Sequence, residues 1–194
     1  MTHDADLFQY LSAFITIVLA LALGDMIQSL HRLLRARDRV RWHLLPLAAV
    51  LFVFMSLLSE FFTLWRDSAI TAISFYGLIG LLVCPTLIAI AALAVLPDDV
   101  PAGDVDLHDF YFANHRYLYT LLALAFIGDV ARTLMVPANW ERLGFFAFIY
   151  TLAIGATLAL AIWRRPALHY AGLALLFAVA NFGYSYWVIR APAG

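Results

Sequence analysis

The stretch LGFFAFIYTLAIGATLALAIW, residues 143–163, contains no charged side chain. A helix needs about 20 apolar residues to cross the roughly 30 Å hydrocarbon layer of a bilayer. This stretch therefore predicts one transmembrane helix, and the rest of the chain can be compared with it.

Five other segments have the same apolar character, although the fourth span also carries ionisable side chains. They cover residues 7–30, 44–65, 69–96, 110–136 and 167–189. Together with residues 143–163, they predict an all-α integral membrane bundle of six transmembrane helices. The fourth span is the least apolar, because it includes His115, Arg116, Asp129 and Arg132.

The composition of the whole chain agrees with a lipid environment. Apolar residues make up 64% of the 194 residues and charged residues 13%, whereas soluble domains average about 45–50% and about 25%. So little charge excludes a disordered chain, a nucleic-acid binder and an ordinary soluble enzyme. The bilayer is the expected partner, and a homo-oligomer is compatible with so small a bundle.

The distribution of arginine predicts the orientation, because short cytoplasmic loops are enriched in basic residues. With both termini outside, the inner loops hold seven arginines and the outer side holds three. Five of the seven are Arg32, Arg35, Arg37, Arg39 and Arg41. These five either control topology alone or also contact anionic lipid headgroups.

A weak internal similarity divides the chain into two three-helix units, residues 1–96 and 110–194, joined by an acidic linker at 97–109. Gly24-Asp25 aligns with Gly128-Asp129 at an offset of 104 residues. If the similarity reflects duplication, the units form inverted repeats, as in many transporters. Chance identity between two apolar helices is the alternative. The linker is expected to be solvated and to pair loosely with the arginine stretch.

Polar side chains inside the spans are the candidate functional residues, since ionisable groups in lipid are costly and usually face the bundle interior. The candidates are Glu60, Asp129, Arg132, Asp25, Asn181 and Gln28. One hypothesis places Glu60, Asp129 and Arg132 in an outward-facing polar cavity. The other packs them into a cluster in which the arginine neutralises an acid and one carboxyl group is left in excess.

Five of the six histidines fall on the predicted cytoplasmic side: His31, His43, His108, His115 and His169. They could form a metal or haem site or a pH sensor, or they could simply occupy the headgroup zone. No pair has metal-ligand spacing on a helix, so no metal ligand and no cofactor is assigned.

The sequence carries no serine-nucleophile elbow, zinc-protease motif or phosphate-binding loop, so an enzyme is not expected. Three hypotheses follow for the function. The first is a transporter or channel for an ion or small solute, linked to protons. The second is a sensor or accessory subunit that binds a partner protein, and the third is a haem or metal-binding redox protein.

Several short segments in about the first 65 residues carry a family resemblance. They are Tyr10-Leu-Ser12, Leu21-Ala-Leu-Gly24, Leu33-Leu-Arg35 and Arg39-Val-Arg41-Trp42. This pattern resembles a group of small polytopic inner-membrane proteins of bacteria. The resemblance implies a bacterial inner-membrane location and carries no function.

Overall fold

The computed structural model describes residues 3–66, 75–99, 103–134 and 143–184, and side chains within 11–63, 78–99, 103–134 and 143–181. The chain is all-helical, as the sequence predicts. Its helices are α1 (His3–Arg35), α2 (Leu44–Arg66), α3 (Phe75–Ala94), α4 (Leu107–Leu134), α5 (Leu143–Ile162) and α6 (Pro166–Tyr184). α1 is longer than its predicted span, because it continues through the first arginines of the basic stretch.

Four of these helices contain a segment that is long and apolar enough to cross a membrane. The segments are Leu11–Arg35, Leu44–Thr63, Leu107–Leu134 and Leu143–Ile162. The apolar segments of α3 and α6 are shorter over their described residues, Leu78–Ala94 and Pro166–Asn181. The fold is thus an apolar helical bundle suited to a membrane, and the count of six spans stays a prediction.

The two faces of α1 show why these helices pack as a bundle in lipid. Its buried side chains recur every three or four residues, as one face of a helix requires. They are Ile15, Leu19, Ala22, Met26, Ser29 and Leu33. Its outward face is also apolar, with Ile17 59% and Leu21 70% exposed. Large apolar side chains on both faces indicate that lipid, rather than water, covers the outside.

α4 is central to the packing: it contacts α3, α5 and α2. α1 packs against α3, while α6 packs against α5 and α2. The polar side chains of α4 therefore meet side chains from several neighbouring helices.

Two short strands join the connection after α1 to the connection before α4. β1 (Val40–Arg41) pairs in parallel with β2 (Val105–Asp106), with Val40 opposite Val105 and Arg41 opposite Asp106. The basic stretch and the acidic linker thus meet through backbone pairing. Strands of two residues are too short to leave a sequence pattern from which this pairing could be predicted. We call the end of the bundle that carries these strands the strand end.

Asp106 caps the first turn of α4 at the strand end. Its Oδ1 accepts hydrogen bonds from the backbone N–H of His108 at 2.8 Å and of Asp109 at 3.3 Å. Desolvation alone would raise the pKa of Asp106. The two hydrogen bonds, together with the charges of His43 and Arg41, lower the pKa by more than desolvation raises it, so that it lies below its ordinary value of 3.8. The ionised carboxylate is therefore the form that stabilises the helix.

Replacing this cap with alanine, Asp106→Ala, should reduce the free energy of unfolding by about 1 kcal/mol near neutral pH. A carboxyl group whose pKa is lowered by folding stabilises the protein above its unfolded pKa and loses that effect as it is protonated. The difference from wild type should therefore shrink as the pH falls below 3.8. Unfolding titrations in mixed micelles, one near neutral pH and one below pH 3.8, check this, with the exposed Asp104→Ala as control. An equal loss at both pH values would contradict it.

Candidate functional site

Three of the predicted site residues meet between α2 and α4. Arg132 Nη2 donates a hydrogen bond to Asp129 Oδ1, one helical turn earlier, and lies 3.5 Å from Glu60 Oε1. Both carboxyl groups thus contact the same guanidinium nitrogen. We call these three residues the acid–arginine cluster.

The acid–arginine cluster is largely enclosed. The side chain of Glu60 is 2% exposed, and those of Asp129 and Arg132 are 13% and 15% exposed. Glu60 lies about 24 Å along α2 and Asp129 about 33 Å along α4 from the strand end, at 1.5 Å per residue. The cluster is therefore buried and belongs to the half of the bundle farther from the strands.

α3 contributes Cys84 to the same region. A Cβ atom added at Gly128 would lie 2.5 Å from Cys84 Sγ. Glycine at position 128 is what lets α3 approach α4 so closely. The sequence points to Gly128 only as part of a possible repeat, and Cys84 only as an isolated thiol.

The hydroxyl groups beside Glu60 bond to their own helix. Ser56 donates to Phe52 O, Ser59 to Ser56 O and Thr63 to Ser59 O, at 2.8–3.0 Å. Their donors are thus already used, and Ser56 and Thr63 are buried. Over the described side chains, this geometry is that of the packed cluster rather than of an open polar cavity.

The other three predicted site residues have different surroundings. Asn181 is exposed and donates to Phe177 O of its own helix. Gln28 is exposed and Asp25 half-buried on α1. Asp25 lies ten residues before Arg35, or about 15 Å from the strand end, which is much nearer to the strands than the acid–arginine cluster.

A second buried polar group lies near the strand end, where α4 meets α6. Tyr111 OH is 2.6 Å from His169 Nδ1 and 2.8 Å from Tyr119 OH. His169 Nε2 is 2.8 Å from the backbone oxygen of Trp163, just after α5. We call Tyr111, Tyr119 and His169 the tyrosine–histidine chain.

None of these three residues was a predicted site residue. His169 and Tyr119 have no exposed surface and Tyr111 is 2% exposed, so the headgroup-zone interpretation is wrong for His169. The sequence did contain one indication of this group. Tyr111 and Tyr119 are eight residues apart, which places both on one face of α4.

His115 lies beside this chain, with its ring centroid 5.5 Å from that of His169. It is buried, and its Nδ1 is 2.8 Å from Phe112 O. A backbone carbonyl on Nδ1 orients many metal-binding histidines. Both nitrogens of His169, however, are occupied by Tyr111 and Trp163, so this pair does not offer the two free nitrogens that the haem or metal hypothesis needs.

One group of potential metal ligands lies at the surface of the strand end. Ligand atoms of Asp106, His108 and Asp109 lie within 4.8 Å of one another, and His43 Nε2 is 3.5 Å from Asp106 Oδ1. Asp106 already caps α4, and the side chain of Asp109 is 82% exposed. These residues are explained by capping and solvation.

The two polar groups of α4 are separated by an apolar segment. Residues 121–128 carry no polar side chain, and four of them are buried: Leu121, Leu122, Ala123 and Ala125. Tyr119 and Asp129 are ten residues apart, or about 15 Å along the helix axis. α4 thus connects two buried polar sites, one in each half of the bundle.

Comparison of the chain with protein-family models, curated proteins and solved structures gives no match.

Proposed function

We propose that the chain is a proton-linked membrane transporter of an ion or small solute, with Glu60 as its proton-binding group. The observation that carries the proposal is that Glu60 and Asp129 contact the same nitrogen of Arg132 within the apolar bundle. Two ionised carboxylates beside one guanidinium leave this cluster one negative charge in excess. A proton on one carboxyl group balances that charge.

Glu60 is the better candidate of the two acids. Asp129 makes the shorter contact with Arg132, whereas Glu60 lies 3.5 Å away and is the more deeply buried. Burial disfavours the charged form of a carboxyl group, so the more deeply buried acid is the one whose neutral form is favoured. Binding of a cation or a change in the position of Arg132 would then release the proton, which couples proton movement to solute movement.

The distribution of arginines supports an orientation with the strand end in the cytoplasm. The basic stretch ends at β1, and Arg164 and Arg165 follow α5 close to the first turn of α4. Arg164 Cζ lies 5.8 Å from the ring centroid of Phe112. Gathering these arginines at one end agrees with the enrichment of basic residues on the cytoplasmic side. In this proposal both termini are outside an inner membrane.

Proton movement into reconstituted liposomes tests the proposal. The vesicles enclose a pH-sensitive dye, and gradients of sodium, potassium or a mixed amino-acid pool are imposed in turn. At least one gradient should move protons in wild type, and Glu60→Gln, which keeps the shape but not the acid, should slow this by about tenfold or more. Asp38→Asn, at a highly exposed position, is the matched control.

Two results would contradict the proposal. If no gradient moves protons in wild-type vesicles, the transporter is refuted. If Glu60→Gln and Asp38→Asn both retain the wild-type rate, Glu60 is not the proton-binding group.

A further inference from the structure

We propose that Tyr119, Tyr111 and His169 form a relay that carries the transported proton between the interior of the bundle and its strand end. This inference rests on the proposed function for the origin of the proton. It concerns different residues, which lie in the opposite half of α4 from Glu60.

The direction of the hydrogen bonds is fixed by the backbone. The Trp163 carbonyl can only accept, so His169 Nε2 must carry the hydrogen that bridges the 2.8 Å to it. In the neutral ring, Nδ1 is then an acceptor, and Tyr111 OH must donate to it across 2.6 Å. The Tyr111 oxygen in turn accepts from Tyr119 OH across 2.8 Å. Every hydrogen in the chain therefore points toward the strand end.

The chain is shielded along its length. Its three side chains are buried, and the rings of Phe112 and His115 lie 4.9 Å and 5.5 Å from the ring of His169. Hydrogen bonds enclosed by apolar surroundings are strengthened, and linked ones polarise one another. Such a chain conducts protons between its ends without admitting water along its sides.

The two ends differ in exposure. Trp163 is 52% exposed and follows the last residue of α5, so its carbonyl marks the end near solvent. Tyr119 has no exposed surface, and although its backbone lies eight residues farther along α4 than that of Tyr111, its hydroxyl oxygen is 2.8 Å from the Tyr111 oxygen. The relay thus leads from the surface of the strand end to a fully buried hydroxyl group.

One transfer balances as follows. A proton delivered from the bundle interior binds the Tyr119 oxygen as the Tyr119 proton passes to the Tyr111 oxygen. The Tyr111 proton passes to His169 Nδ1, and the Nε2 proton leaves to water at the strand end. Rotation of the two hydroxyl groups, and a reorientation of the imidazole ring that turns its N–H back toward the Trp163 carbonyl, restore the chain. One proton has entered, one has left, and no electron has moved.

The titratable and charged groups near His169 are His115 and Arg164. His115 faces its ring from α4, and Arg164, from the connection after α5, lies over Phe112. His169 has no exposed surface, and burial disfavours the charged imidazolium, so the proton does not remain on the ring.

Proton flux in the liposomes described above tests the relay. Tyr111→Phe removes one hydroxyl group and both of its hydrogen bonds, and it should slow proton movement by about tenfold or more. His169→Asn should have the same effect. Tyr117→Phe is the matched control, because Tyr117 is on the same helix and 53% exposed.

The results separate the two proposals. If Glu60→Gln slows the flux but Tyr111→Phe and His169→Asn do not, the relay is wrong and the transporter stands. If the relay variants slow it but Glu60→Gln does not, the relay stands and the role of Glu60 is wrong.

A second measurement decides the relay if wild type moves no protons. The buried hydroxyl of Tyr119 is followed in nanodiscs transferred to D2O, through the deuterium isotope shift of its labelled ring carbon. A working relay exchanges this hydroxyl about tenfold faster in wild type than in Tyr111→Phe. Equal exchange rates would overturn the relay.

Discussion

Replacing Arg132 with leucine should reduce the free energy of unfolding by about 3–5 kcal/mol, because it removes one partner of a buried ionic cluster. Glu60 and Asp129 both contact its Nη2 atom. Without the guanidinium, two carboxyl groups remain close together in an apolar bundle. They must then take up protons or draw in water, and either response weakens the packing of α2 against α4.

Unfolding titrations in mixed micelles measure this loss. Arg116→Leu is the matched control, since Arg116 is exposed on the same helix and should change stability by less than about 0.5 kcal/mol. Replacing all three cluster residues with apolar side chains of similar size should recover most of the loss, because buried ionic groups contribute little net stability. An Arg132→Leu variant as stable as Arg116→Leu would show that the cluster is not buried as described.

Adding one methyl group at Gly128 should also destabilise the bundle, by about 1–3 kcal/mol. The new Cβ atom would lie 2.5 Å from Cys84 Sγ, so α3 and α4 must move apart where they flank the acid–arginine cluster. Cys84→Ala removes the sulfur atom that causes this clash. The double variant Cys84→Ala/Gly128→Ala should therefore be more stable than the sum of the single changes predicts.

Gly24 provides the control for this pair. It occupies the position equivalent to Gly128 in the sequence alignment, but an added Cβ atom there meets nothing within 4 Å. Gly24→Ala should then leave stability unchanged or raise it by up to about 1 kcal/mol through helix propensity. Strictly additive effects of the Cys84 and Gly128 changes would contradict the close approach of α3 and α4.

The helices and the acid–arginine cluster were predictable because each depends on short-range patterns. An apolar run of membrane length specifies a helix, and Asp129 and Arg132 are three residues apart, on one helical face. Glu60 could be added because it lies in the same half of a neighbouring span. The enclosure of the cluster was not predictable, because the sequence does not say whether the hydroxyls of Ser56, Ser59 and Thr63 face a cavity or bond to their own helix, as they do.

The tyrosine–histidine chain was not predictable in the same way. Tyr111 and His169 are 58 residues apart, and their contact depends on how the first turn of α6 is placed relative to α4. The same applies to the pairing of β1 with β2, where two residues in each strand are too few to show an alternating pattern. Long-range docking geometry, rather than local propensity, creates both features.

The apolar segment of α4 also has an electrical consequence. The roughly 15 Å between Tyr119 and Asp129 is about half of the hydrocarbon thickness. With no polar side chain at residues 121–128, much of a transmembrane voltage falls across this distance. Moving one elementary charge across it changes the energy by about 1 kcal/mol for each 100 mV. The sign of the membrane potential would therefore bias which of the two buried sites a mobile charge occupies.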